Sequence, residues 1–159
     1  MSPTGTNGAL RRLAEPPPAR GNLVKIHHLG IAVGSLKDAI PIFTLLLGRG
    51  PDSEEVVEDQ KVRVAMFTVG ESRIELLEAT APESPVARFI GKGGQGIHHL
   101  TLSVADLPAM LDKLSASGVR LIDREPRAGA GKERIAFLHP SSTAGVLIEL
   151  VEEKSDSGT

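Results

Sequence analysis

The sequence predicts an α+β protein made of two tandem βαβββ modules whose curved mixed sheets enclose a cleft. Two duplicated strand patterns and one capped helix per copy predict it, because internal similarity at a fixed offset sets the architecture. Residues 26–33 read IHHLGIAV and residues 97–104 read IHHLTLSV, 71 positions later. Residues 73–79 read RIELLEA and residues 146–152 read VLIELVE, each closing its own half.

Each element follows in order. Residues 1–22, MSPTGTNGALRRLAEPPPARGN, lack sustained periodicity and contain a proline run, which predicts a disordered N-terminal tail. The domain proper spans 24–152, with repeats at 24–79 and 97–152, and 153–159 forms a second disordered tail. After the first strand, Ser35-Leu36-Lys37-Asp38 opens a helix that stops at Gly48; after its copy, Asp106-Leu107-Pro108 opens one that stops at Gly118. Pro41 inside the first helical pattern predicts a kink or an irregular first turn, since it removes a hydrogen bond and crowds the turn before it. Weaker strands are expected near 54–58 and 61–69, and near 119–122 and 133–139. Residues 80–96 form the linker, with a short helix near 84–90. The glycine-rich run RAGAGK (127–132) lacks the flanks of a phosphate loop and is expected to be a mobile hairpin loop over the cleft.

Composition removes several classes of function. At 159 residues the chain has one domain's worth of core. A net charge of −2 gives no footprint for nucleic acid or an anionic membrane, and no apolar run approaches the length of a bilayer span. With no cysteine there are no disulfides, thiolate ligands or thiol nucleophiles, which fits the cytoplasm. Arg11, Arg12 and Arg20 against the single acid Glu15 leave room for an organellar matrix address, against which the prolines count. Four Phe and no Tyr or Trp offer little for stacking on bases.

Strand alternation places the chemistry. Leu29, Ile31 and Val33 share one face of the first strand, and Leu100, Leu102 and Val104 the same face of its copy, each suited to lie under a helix. His28, Gly30 and Ala32, and His99, Thr101 and Ser103, share the other face, which is small or polar and lines the cleft. Glu75 and Glu149 sit between aliphatic neighbours in the closing strands. A carboxylate so placed is costly unless its charge is met. One histidine in a strand is ordinarily a hydrogen-bonded core residue, and one such glutamate ordinarily lies on a solvated edge. Four repeat-matched positions share a single account: His28, Glu75, His99 and Glu149 bind one divalent metal ion in the cleft. Two imidazoles and two carboxylates with open positions suit octahedral Co²⁺, Mn²⁺, Ni²⁺, Fe²⁺ or Zn²⁺ better than a closed structural zinc site. His27 and His98 are expected to face away from the cleft. His139 is expected in a turn before Pro140.

The segments IHHLGIAV, IELLEA, GIHHLTLSV and FLHPSSTAGVLIELVE resemble the vicinal-oxygen-chelate (glyoxalase/bleomycin resistance-like) superfamily over residues 24–152, and within it the methylmalonyl-CoA epimerases most. The resemblance carries the metal site to the same four residues; of the ions that suit them Co²⁺ is the one expected, with Mn²⁺, Ni²⁺ or Zn²⁺ as alternatives. The resemblance further implies a homodimer and an acyl-CoA substrate epimerised at C2 through a metal-stabilised enolate. Because inversion needs proton exchange on both faces of C2, the repeat-matched Glu149 and Glu75, approaching from opposite modules, are expected to be the catalytic groups as well as ligands. The sequence departs from some members at Val64, in KVRVAMF, where they carry a glutamate. The same ligand types occur in glyoxalase I (lactoylglutathione lyase), which is the alternative activity. A non-catalytic small-molecule-binding protein of the bleomycin-resistance kind is the second alternative, and it predicts no metal.

Overall fold

The computed structural model describes residues 25–129 and 132–153. The expected tails lie outside the described residues apart from Glu153, whose N–H reaches the carbonyl of Val104 at 2.9 Å. Ala130 and Gly131 of the glycine-rich loop also lie outside them.

The first module runs β1 (Lys25–Ala32), α1 (Leu36–Leu47), β2 (Ser53–Val57), β3 (Val62–Val69) and β4 (Ser72–Ala79). Helix α2 (Pro85–Gly93) links it to β5 (Gly96–Val104), α3 (Leu107–Ala116), β6 (Arg127–Ala128), β7 (Arg134–Leu138) and β8 (Ile148–Glu152). The strands form one eight-stranded mixed sheet in the order β2-β3-β4-β1-β5-β8-β7-β6. β1 runs parallel to β4 and β5 parallel to β8, while the modules meet through antiparallel pairing of β1 with β5. The α+β class and the duplicated modules are as the sequence predicts. The halves, however, are not separate sheets set face to face. They share an edge, because antiparallel neighbours satisfy the backbone groups that each module's first strand would otherwise expose.

Helices α1 and α3 cover one side. Val33, Leu36, Ala65, Phe67 and Leu76 bury together between α1 and the sheet, with Ile31 and Phe43 against them, and Val104, Leu107, Leu111, Ala136, Leu138 and Leu150 do the same between α3 and the sheet. A third cluster, Ala32, Val62, Val64, Leu77 and Val86, joins the cleft face of the first module to α2. Helix α1 continues through Pro41 with a regular first turn: Ser35 Oγ accepts the Asp38 N–H at 3.3 Å and the Ser35 carbonyl accepts that of Ala39 at 3.0 Å. The second strand of the second module is much reduced. Residues 119–122 form no strand, only a single bridge from Leu121 to Leu138. Asp123 explains the loss: its Oδ2 accepts the Phe137 N–H at 2.8 Å, substituting a side chain for ladder pairing.

Both long helices are anchored the same way. Asp106 Oδ1 accepts the Ala109 N–H at 2.9 Å at the start of α3, as Ser35 does for α1. A second carboxylate then reaches over from the closing strand: Glu78 Oε2 accepts the Leu36 N–H at 2.6 Å, and Glu152 Oε1 accepts the Leu107 N–H at 3.0 Å. Each meets a free N–H at the positive end of a helix dipole. Glu78→Ala should therefore lower stability by about 1–2 kcal/mol, read as a drop in the urea midpoint at unchanged m-value.

Candidate metal centre

The centre grows out of the β1–β5 pairing. In register, His28 faces Thr101 and Gly30 faces His99, so residues 28 and 99, and residues 30 and 101, are exchanged by a local two-fold axis. The parallel partners obey the same axis, with Gly30 beside Glu75 and Thr101 beside Glu149. All four expected residues therefore project from the middle of the sheet into one cleft of about 840 Å³.

Three of them converge. His28 Nε2 and His99 Nε2 are 3.1 Å apart, and Glu75 Oε2 lies 3.5 Å from the first and 3.6 Å from the second. Three atoms at those separations share a point about 2.0 Å from each, the bond length of a divalent ion to imidazole nitrogen or carboxylate oxygen. The donor set and its spacing thus fit a metal. Glu149 is linked to this cluster through one intervening residue: its Oε1 accepts from the Thr101 hydroxyl at 3.2 Å, and Thr101 Oγ1 is in turn 3.0 Å from His28 Nε2.

The difference between the halves lies at residues 30 and 101. A Cβ on Gly30 would stand 2.2 Å from Cε1 of His99, so the imidazole lies flat over bare backbone and next to Glu75. Thr101 fills the equivalent space with a buried hydroxyl and holds Glu149 off the cluster.

His27 and His98 do not face away as alternation predicts. The β1–β5 register slips between Ile26 and His28 and again between Gly30 and Ile31, leaving His27 and His98 as the extra residues of two bulges. A bulge sets two successive residues against one and breaks the parity of side-chain direction. Both rings thereby line the cleft. His27 Nδ1 meets His28 Nδ1 at 2.8 Å, His98 Nδ1 meets His99 Nδ1 at 3.0 Å, and Phe89 of α2 packs edge-on against His98. With Nδ1 engaged on each inner ring, Nε2 is the atom presented to the centre. Sequence reasoning missed these orienting roles, although the repeated HH pair was their visible sign. It also missed Gly30 and Thr101 as spacers. His139, as expected, serves a turn: its Nδ1 accepts the Ser141 N–H at 3.1 Å.

Electrostatics agree with a cation. Burial drives the pKa of His28 down to about 3, with the neighbouring His99 adding to it, and drives that of His99 down to about 4. Burial raises Glu75 to about 7, helped by the charge of Glu149, and raises Glu149 to about 7 against the opposing Thr101 hydrogen bond. Without a metal these groups are mostly neutral at pH 6, so ion binding must expel protons from the carboxyls and none from the histidines.

Two outcomes follow. Calorimetric titration of the metal-free protein should show nearly one proton released per ion from Glu75 at pH 6, a second if Glu149 joins, and almost none at pH 8.5; affinity should weaken as pH falls below about 7. Gly30→Ala should leave the far-ultraviolet spectrum intact but reduce metal affinity by roughly 100-fold, since the His99 ring must leave its seat.

Comparison with known proteins identifies relatives of this chain and of its fold. The chain is 46% identical over 132 residues, 83% of its length and 94% of the relative's, to an uncharacterized protein of Bacillus subtilis (strain 168), YqjC. It is 36% identical over 132 residues, 81% of its length and 78% of the relative's, to the mitochondrial methylmalonyl-CoA epimerase of Dictyostelium discoideum. A solved methylmalonyl-CoA epimerase in complex with methylmalonyl-CoA and NH4+ superposes with a TM-score of 0.76 at 37% identity, covering 84% of this chain and 96% of that one. The model of the Glyoxalase/Bleomycin resistance protein/Dioxygenase superfamily matches residues 27–137, and with the paired modules and the centre between them in view, this chain belongs to that superfamily.

Proposed function

We infer that this protein is an isomerase that epimerises methylmalonyl-CoA at C2. The observation that carries the reading is the convergence of His28, His99 and Glu75 with a buried Glu149 beside them, in a chain whose relatives bear that enzyme's name. The C2 hydrogen is flanked by a thioester and a carboxylate, and its removal sends negative charge onto oxygen. His28, His99 and Glu75 would hold a divalent ion, which when bound would supply positive charge to stabilise that oxygen. Inversion also requires proton exchange on both faces of C2, hence two groups.

Glu149 and Glu75 fill that need in our reading. They come from opposite modules through the local two-fold axis, and both rest near neutrality in pKa, where a carboxyl both gives and takes a proton. Position 64, where some relatives of this kind carry a carboxylate, holds buried Val64, which throws the task onto these two. We further propose that Glu149 leaves Thr101 to complete the ligand set, that the ion is Co²⁺ as suits two nitrogens, carboxylate oxygens and open positions, and that two copies pair. Exposed Ile42, Leu45 and Leu46 on α1 support pairing. The lack of cysteine supports a cytoplasmic setting.

Methylmalonyl-CoA incubated in D₂O with cobalt-loaded protein should gain deuterium at C2 as its epimers equilibrate. A parallel assay with the methylglyoxal–glutathione adduct should show no turnover; turnover there and no exchange in the first would replace the epimerase by glyoxalase I. Glu149→Gln and Glu75→Gln should each slow exchange by about 10²–10⁴-fold while elemental analysis still finds the ion, and undiminished exchange in Glu75→Gln would remove Glu75 from the proton-carrying role.

A further inference from the structure

Arg127 is the one cleft-lining residue of β6, and its side chain is held from two directions. Its guanidinium carbon lies 5.2 Å from the centroid of the Phe137 ring. Its Nε donates to Asp123 Oδ2 at 3.2 Å, and that same oxygen accepts the Phe137 N–H at 2.8 Å. Stacking and a charged hydrogen bond at the base of the fork fix a long side chain that would otherwise spend its rotamer freedom on binding. Among the described residues, nothing engages either Nη atom. Phe137 is the register partner of Glu149 on β8, so the fork stands next to a proposed proton carrier. The charge of Arg127 is felt there, counteracting part of the rise that burial imposes on the Glu149 carboxyl.

A rigid, half-exposed guanidinium with two parallel N–H groups uncommitted is shaped for a planar pair of anionic oxygens. Building on the epimerase reading, the geometry points to Arg127 as the residue that grips the substrate's free carboxylate, selecting acyl-CoA thioesters with a carboxylate on C2 and turning the C2 hydrogen toward Glu149. The carboxylate has lone pairs enough to meet this fork on one side and the centre on the other. No bond is made or broken by the grip. It orients, and it rejects uncarboxylated thioesters because the guanidinium would then be covered by ligand without a partner.

Equilibrium binding tests this apart from turnover. The cobalt-loaded protein and its Arg127→Gln variant are titrated calorimetrically with methylmalonyl-CoA and with propionyl-CoA, which shares the thioester and the entire CoA but lacks the carboxylate. Wild type should prefer methylmalonyl-CoA, and the variant should lose about tenfold or more of that preference with its propionyl-CoA affinity nearly unchanged. Millimolar guanidinium ion should restore part of the lost affinity for methylmalonyl-CoA alone. Equal weakening toward both thioesters would mean a phosphate contact or lost packing and would overturn the assignment. So would a wild type without preference, or a variant that keeps it. Deuterium exchange by wild type reports separately on the epimerase reading, so a failure of one is not mistaken for a failure of the other.

Discussion

Antiparallel pairing of β1 with β5 sets His28 against Thr101 and Gly30 against His99, and the rest of the molecule is arranged around that contact. The parallel neighbours β4 and β8 then bring Glu75 and Glu149 alongside, and the edge hairpins curl the sheet into the walls of the cleft. A shift of this register by one residue would point the histidines into the helix-covered layer. The pairing is therefore protected from both ends: α1 and α3 bury the outer face, while α2 closes the cleft side of the first module with Val86 and braces His98 with Phe89.

Two imidazoles and two carboxyls in the middle of a sheet are a poor way to stabilise a fold. Burial presses each toward its neutral form, and the two Nε2 atoms 3.1 Å apart must share a proton or a cation. The stability that holds them there comes from elsewhere, chiefly the apolar layers around Phe67 and Leu76 on one side and Leu107 and Leu111 on the other. The cleft spends that stability on a prearranged set of donors, whose histidine rings are aimed by their bulged neighbours before any ion arrives. Rings fixed through Nδ1 lose less freedom when Nε2 takes its ligand.

Much of this was legible in the sequence, and the failures have physical causes. Periodicity and caps located both modules, the helix starts at Ser35 and Asp106, the two helix-covered faces, and four residues that do enter one cleft. Parity failed at His27 and His98 because an added residue in a strand reverses the alternation from that point, and bulges leave no mark in hydrophobic pattern. The expected strand at 119–122 failed because a carboxylate, Asp123, takes the amide that ladder pairing would have used. Glycine against threonine was plain in the two copies of the strand, yet its meaning depends on which ring lies across the sheet. The Asp123–Arg127–Phe137 arrangement joins a loop, an edge strand and an inner strand, and nothing periodic connects them.

The contrast between Gly30 and Thr101 bears on how duplicated halves acquire separate duties. Both copies kept their histidine and glutamate, so the ancestral symmetry survives in the ligating atoms. Individuality entered at the residue each ring overlies: bare backbone lets a glutamate crowd in, and a hydroxyl keeps its counterpart at arm's length. Descendants of such a duplication can thus give two equivalent carboxylates different surroundings by a change at a position that touches no ion.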